Sequence, residues 1–357
     1  MNTLLVAPEL FTTDSGIPRM LRLYLKALCE IAGPQDQLRF VTLNDKSIEP
    51  SQLQSYSGPA LSTWSASNRS KLKFIWQTLW MSRGANLVIC GHVAQLPVAW
   101  LANCLRPGLR TILVAHGIEV WRPFTFWERR ALTNTHRILC VSAFTRRKIL
   151  EQIPLPESKL VVLPNALDPL LENQSAGLAA NPESPVILSV SRLSSADRYK
   201  GIDHLIAAMP QILRTAPRTK LRIIGRGDDL PRLSNLVDDN RLGDFVEFTG
   251  FVSDKQLRQE FSQCTCFAMP SQNEGFGLVY LEAMTAGKPC LAATAGGAPE
   301  VISPQSGILV PYGDVQAIAT ACLKLIERKW NPAAIQACAQ KFSFANFRER
   351  LAAAIPA

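Results

Sequence analysis

Glu274 and Glu282 stand eight positions apart in Ser271-Gln-Asn-Glu-Gly-Phe-Gly-Leu-Val-Tyr-Leu-Glu-Ala-Met-Thr-Ala-Gly287, and Gly296-Gly297-Ala-Pro-Glu300 follows. A pair of carboxylates accepts hydrogen bonds from sugar or ribose hydroxyls. The glycines between them let backbone come close to a ligand. Leu278 to Ala286 has helical composition, which puts Glu274 on the loop entering a helix and Glu282 inside it. A single glutamate is usually a solvated helix face, but the block as a whole is too specific for that account. Near the start, Thr13-Asp14-Ser15-Gly16 precedes a helical run from Pro18 to Ile31. Such a loop either presents backbone N–H groups to a phosphate or is a plain turn. The chain has no GxGxxG fingerprint and no GxxxxGK[ST] loop, so nicotinamide cofactors and ATP hydrolysis lose their best support.

These residues need strands to carry them. Thr3 to Ala7, Leu38 to Leu43, Leu87 to Cys90, Thr111 to Ala115 and Arg137 to Val141 read as buried parallel strands separated by crossover helices. A Pro/Gly/Asn-bearing stretch from Asn165 to Pro185 breaks that pattern. It restarts with Val186 to Val190, Leu221 to Ile224, Val246 to Phe248, Cys266 to Met269 and Pro289 to Ala293. The expected fold class is α/β, with two Rossmann-like, doubly wound domains facing each other across a cleft. In such sheets ligands bind beyond the carboxyl ends of the strands, which is where the candidate residues fall. The expected domains are 1–168, a linker over 169–185, a second domain over 186–341, and a C-terminal helix within 342–357.

With 357 residues, 47% apolar and 19% charged, disordered, collagen-like and disulfide-scaffold classes are set aside. Nine scattered cysteines form no zinc or redox pattern; Cys264 and Cys266 read as core filling, and the odd count suits a reducing cytosol. No apolar run is long enough to span a bilayer, and the start lacks the marks of a secretory signal. A cytoplasmic location is therefore expected. The net charge of +9 is uneven: residues 1–170 hold 19 Lys/Arg against 11 Asp/Glu, while the remainder is nearly balanced.

The Glu274–Glu282 block resembles the E-x7-E signature of the retaining glycosyltransferases of family 4, which have the GT-B fold. Other segments agree in order: Val190-Ser-Arg192-Leu and Arg198-Tyr-Lys200-Gly resemble the family's Arg/Lys pair, and Ile223-Ile-Gly225-Arg-Gly227 its IxGxG turn. Phe248-Thr-Gly250-Phe-Val252 resembles the base-side loop. Ala115-His116-Gly-Ile-Glu119-Val-Trp121 and Leu163-Pro-Asn165-Ala-Leu-Asp168 match the first domain and the hinge. The resemblance implies transfer of a sugar from a nucleoside-diphosphate donor to a glycan or lipid-linked glycan hydroxyl, in polysaccharide or glycoconjugate synthesis. It further implies that Glu282 holds the ribose, Glu274 the donor sugar, and the amides of Gly277, Leu278 and Val279 a phosphate. Gly16, Gly225, Val252, Gly275 and Phe276 would complete the donor site, and His116 would lie by the reaction centre. His92 and Glu119 would lie on the acceptor side.

Charge makes these assignments physically sensible. The leaving diphosphate gains negative charge as the glycosidic C–O bond breaks, and two fixed cations then act more strongly in the transition state than before it. Arg192 offers a planar fork and Lys200 a point charge. No metal or other cofactor is expected; the chain has no Asp-x-Asp pair and four histidines. In the family the anomeric configuration is kept by front-face attack, the departing phosphate taking the acceptor proton, so Glu274 is not expected to be a nucleophile. Two features depart from the family pattern: Gly16 is followed by Ile17 rather than a second glycine, and seven residues separate Arg192 from Lys200. The rival readings are a non-catalytic sugar-nucleotide-binding protein and a sugar-nucleotide epimerase on the same fold.

Arg106, Arg110, Arg129, Arg130, Arg146, Arg147 and Lys148 all fall in the first domain, a cationic surface suited to anionic lipid. No nucleic-acid-binding signature accompanies them. In Lys71 to Arg83, Leu72, Ile75, Trp76, Leu79 and Trp80 share one helical face, with Phe74 and Met81 opposite. A stripe of this kind is more often core than membrane-facing, so burial is the first expectation and interfacial docking the second.

Overall fold

The computed structural model describes residues 2–172 and 184–355. The chain forms two compact units, residues 1–168 with 343–357, and residues 169–342. Within the linker expected over 169–185, residues 173–183 lie outside the described ones.

The first unit is a seven-stranded sheet: β1 (Thr3–Ala7), β2 (Leu38–Thr42), β3 (Leu61–Ala66), β4 (Leu87–Cys90), β5 (Arg110–Ala115), β6 (Arg137–Cys140) and β7 (Leu160–Val162), in the order β3-β2-β1-β4-β5-β6-β7. Every pairing is parallel. Strands covered on both faces read as continuous apolar runs, and Leu4, Leu5, Val6, Val88 and Ile89 are fully buried. The helices are α1 (Gly16–Ile31), α2 (Pro50–Gln54), α3 (Lys71–Met81), α4 (Leu96–Leu105), α5 (Phe126–Asn134) and α6 (Ala143–Leu150). Phe74 and Met81 of α3, Ala99 and Ala102 of α4, and Ala131 and Leu132 of α5 enter one core cluster with inward residues of the sheet. Strands β3 and β7 do not stand out in the sequence, because both are edge strands and β3 is largely polar and exposed.

Helix α3 reverses the first expectation for residues 71–83. Its sheet-facing side is Phe74, Thr78 and Met81, spaced i, i+4, i+7, while Leu72, Trp76 and Trp80 are exposed and Ile75 and Leu79 half-buried. A threonine in the middle of the inward row hid it, since the larger apolar stripe lies on the other side of the wheel. Met81 is fixed at the sheet by its carbonyl, which accepts from Arg39 Nη1 at 2.9 Å.

The second unit repeats the plan with β8 (Val186–Val190), β9 (Lys220–Ile224), β10 (Val246–Gly250), β11 (Cys266–Met269), β12 (Cys290–Ala293) and β13 (Gly307–Val310), ordered β10-β9-β8-β11-β12-β13 and all parallel. Its helices are α7 (Pro169–Glu172), α8 (Ile202–Thr215), α9 (Leu230–Asp239), α10 (Asp254–Gln263), α11 (Leu278–Thr285), α12 (Val315–Glu327) and α13 (Pro332–Gln340). Helix α10 begins on a reciprocal capping box between Ser253 and Gln256, which satisfies two donors that a helix start leaves open. Cys264, Cys266, Cys290 and Cys322 are free, buried thiols, and burial raises all four.

After α13 the chain re-enters the first unit as α14 (Phe344–Ala354), started by Ser343, whose hydroxyl accepts the Asn346 N–H. It packs against α1: the rings of Phe347 and Tyr24 meet edge to face at 5.0 Å, and Arg348 pairs with Glu30 at 2.9 Å.

Candidate active site

In each sheet the strand order reverses direction once, between β1 and β4 in the first unit and between β8 and β11 in the second. Loops leaving the two central strands at such a point diverge and open a crevice at their carboxyl ends. Arg192 lies two residues after β8 and Glu274 five residues after β11.

Two backbone features bring Lys200 to Glu274. The 3-10 segment Ser195–Lys200 is joined to the loop after β11 by the Gln272 N–H, which donates to the Tyr199 carbonyl at 2.8 Å. Gly201, at φ 72°, packs on the Pro270 carbonyl where a Cβ would collide. Lys200 Nζ then donates to Glu274 Oε2 at 2.6 Å, with the two side chains only 17% and 16% exposed. Arg192 behaves differently. Its side chain is 71% exposed, and its guanidinium is held from one side by Asp197 at 3.0 Å. Asp197 is buried and also accepts the Tyr199 hydroxyl at 2.8 Å. Burial and that bond to a carboxylate raise the Tyr199 phenol. The seven intervening residues thus supply the counter-ion that orients the first cation.

Helix α11 starts at Leu278, so Glu274 stands on the preceding loop and Glu282 in the helix interior, half-buried. Gly275, Phe276 and Gly277 are buried, and Leu278 and Val279 open the helix. The N–H groups of a first helical turn have no partner within the helix. Gly277 has φ 94°, and a Cβ there would overlap the Tyr280 ring, which is fixed by its hydroxyl on the Met269 carbonyl at 2.6 Å. Gly296 and Gly297 shape a turn: the Gly297 N–H donates to the Glu274 carbonyl at 2.6 Å, and a Cβ on Gly296 would strike the Glu274 backbone. Gly225 follows β9 against the Ser191 carbonyl. Val252 is half-buried after β10, beside an exposed Phe251 on which Arg226 stacks at 4.9 Å.

In the first unit, β4 and β5 bring together His92, His116 and Glu119. His116 is buried and its Nε2 lies 3.0 Å from the Gly91 carbonyl. A carbonyl only accepts, so Nε2 carries the proton and Nδ1 is the acceptor. Burial lowers His116 to about 4, against the opposing effect of that bond. Glu119 accepts the His116 backbone N–H at 2.5 Å, and burial raises its carboxyl. His92 caps the turn after β4, its Nδ1 accepting the Ala94 N–H at 3.1 Å; burial lowers it, with Glu119 opposing. Gly16 is the first residue of α1, exposed, after an N-cap Ser15.

The sequence reading missed what holds the Phe11–Gly16 loop. Asp45, three residues after β2, is buried and accepts the N–H groups of Leu10, Phe11 and Thr12 at 2.8, 3.1 and 2.8 Å, as well as the Thr12 hydroxyl at 2.7 Å. Arg22 lies over the rings of Phe11 and Tyr56 and donates to the Leu10 carbonyl at 2.9 Å and to Asp14 at 3.1 Å. Asp197 was also missed. A carboxylate between two cations, and another just after a strand, were the available signals. Among the described residues, no group of three or more His, Cys, Asp or Glu is placed to hold a metal ion.

A family model described as glycosyl transferases group 1 matches residues 172–342, and one described as glycosyltransferase family 4 matches residues 33–169. A GDP-mannose-dependent alpha-(1-6)-phosphatidylinositol monomannoside mannosyltransferase of Mycolicibacterium smegmatis is 30% identical over 298 residues, 77% of this chain and 73% of the relative. An alpha-maltose-1-phosphate synthase of the same organism is 27% identical over 307 residues, 74% of this chain and 78% of the relative. Among solved structures, the Anabaena protein Alr3699/HepE in complex with UDP superposes with a TM-score of 0.80 at 20% identity, over 99% of both chains. The apo lipopolysaccharide outer core galactosyltransferase WaaB does so with 0.77 at 19% identity, again over 99% of both.

Proposed function

The chain belongs to the group 1 glycosyl transferases of glycosyltransferase family 4 and has their GT-B fold, and from that premise we propose that it is a retaining, metal-independent enzyme. Its donor is a nucleoside-diphosphate sugar and its acceptor a hydroxyl of a glycan or lipid-linked glycan, in the cytoplasm. The observation that supports this best is the convergence of Lys200, Glu274 and Arg192 on the carboxyl ends of β8 and β11, where the strand order reverses.

In this reading the diphosphate lies against Arg192, Lys200 and the first-turn amides of α11 from Gly277 to Val279. Glu282 takes the ribose hydroxyls, Glu274 a hydroxyl of the donor sugar, and Gly225 and Val252 border the base. The bond from the anomeric carbon to the phosphate oxygen breaks with both electrons going to the phosphate. The acceptor oxygen forms its bond on the same face, and its proton passes to that phosphate oxygen. Charge accumulates on the diphosphate, so a guanidinium and an ammonium fixed beside it lower the barrier without a divalent ion. No histidine or carboxylate need act as base. His116, neutral with Nδ1 as an acceptor, serves to orient sugar hydroxyls. Glu119 and His92, which burial shifts toward their uncharged forms, suit contact with a neutral acceptor.

The test is incubation with GDP-mannose or UDP-glucose and a lipid-extract acceptor, with and without chelator, reading diphosphate release and the anomeric configuration of the product. Transfer with the donor's configuration kept and no chelator effect is expected. Inversion or loss with chelator would refute the mechanism, while an isomerised donor, or binding with no turnover, would refute transfer itself.

A further inference from the structure

We propose that the outer face of α3, α4 and α5 docks on an anionic lipid bilayer. The three helices neighbour one another on one side of the first sheet, sharing a core cluster through their inward residues. Their outward residues are unusually apolar: Leu72 is 82% exposed, Trp76 63%, Trp80 54%, Leu105 65%, Phe126 71% and Trp127 58%. Water-facing single apolar residues need no explanation, but large ones grouped on neighbouring helices do. The rings are ordered rather than scattered. Trp76 and Trp80 stack with ring centroids 6.1 Å apart, and Trp127 meets Phe126 on its own helix and Trp100 of α4 at 5.1 and 6.1 Å.

Charge selects the occupant. Between Glu49 and Glu119 the sequence contains no acidic residue at all, while it contains Arg69, Lys71, Lys73, Arg83, Arg106 and Arg110. Five of these six are exposed; Arg106 is half-buried and reaches the Ser82 carbonyl, joining the ends of α3 and α4. The one acid on α5, Glu128, is buried and paired with Arg122 at 2.7 Å. A second copy of the chain would set this cationic face against itself. An anionic bilayer satisfies both halves of the surface, since indole rings settle at the headgroup level and basic side chains meet lipid phosphates. This inference concerns a surface and not the donor site, so it stands or falls apart from the transfer reaction.

The experiment is flotation of the full chain, without donor sugar, on phosphatidylcholine vesicles containing phosphatidylglycerol and on phosphatidylcholine alone. The wild type is expected to float with the anionic vesicles at low salt and to be released by high salt. Trp76→Ser/Trp80→Ser is expected to lower partitioning about tenfold or more, with an unchanged thermal midpoint because both rings are solvent-exposed. Phe126→Ser/Trp127→Ser provides a second variant should the first fail to fold. Phe251→Ser, in the second unit, is expected to float as the wild type. Wild type that stays soluble, floats equally on neutral lipid, or loses nothing in the tryptophan variants would overturn the proposal. So would dimerisation, or retention on single-stranded DNA, that the same substitutions abolish while vesicle binding persists.

Discussion

Replacing Lys200 with methionine keeps most of its length and removes its charge, leaving Glu274 without the partner that now lies at 2.6 Å. At that separation, and an effective dielectric of about 20, the gross attraction is about 6 kcal/mol. Desolvation of two groups that are 17% and 16% exposed cancels much of it. Breaking one side of a fully buried pair costs about 3–5 kcal/mol, and an exposed pair contributes about 1 or less. For this intermediate setting, a loss of about 2 kcal/mol in unfolding free energy is expected for Lys200→Met. Most of it should return in Lys200→Met/Glu274→Gln, which removes the stranded carboxylate. Activity should not return. A missing charge at the leaving diphosphate is expected to lower kcat/KM by about 10²–10³, in the single and double variants alike. Urea unfolding of the four proteins of this cycle and diphosphate release by each separate the two effects. If the double variant regained transfer, or if Lys200→Met kept kcat/KM within about threefold, Lys200 would be a structural partner of Glu274 and nothing more.

Asp197→Asn is expected to lower kcat about tenfold with little change in donor KM, because Arg192 loses its anchor but keeps its charge. Ultraviolet titration should at the same time show the Tyr199 phenol moving down toward its ordinary value, which reports the loss of the Asp197 carboxylate beside it, while the kcat change at constant donor KM reports its effect on Arg192. For His116, burial depresses the folded value to about 4 while the unfolded chain takes up a proton near 6.5. Stability is therefore complete above about pH 6.5 and falls as pH drops from there toward 4, by at most about 3 kcal/mol. Urea midpoints measured across that window should fall less steeply in His116→Gln.

Most of the strands that the sequence announced lie inside the sheets, because covering both faces forces an unbroken apolar run such as Thr3–Ala7 or Cys266–Met269; the edge strand β10, announced as Val246 to Phe248, is the exception. Edge strands such as β3 face water on part of their surface and lose that signature. Glu274, Arg192 and Lys200 were legible through motif and spacing. Asp45 and Asp197 were not, since a carboxylate that orients a loop or a cation is recognised by what it touches, and those contacts form only after folding. Helix α3 shows a related limit. A wheel separates two apolar faces without saying which one meets the sheet, and there the smaller row of Phe74, Thr78 and Met81 turned inward.

Because α14 completes the packing around Tyr24 and Glu30 of α1, the first unit is discontinuous in the chain, and a nascent polypeptide emerging from the ribosome has made all of residues 169–342 before that cover exists. Until then the flank of α1 has no native roof. A fragment cut at residue 168 would keep every strand of its sheet yet carry an open apolar seam, so dissecting this protein into halves calls for grafting residues 343–355 back onto the first.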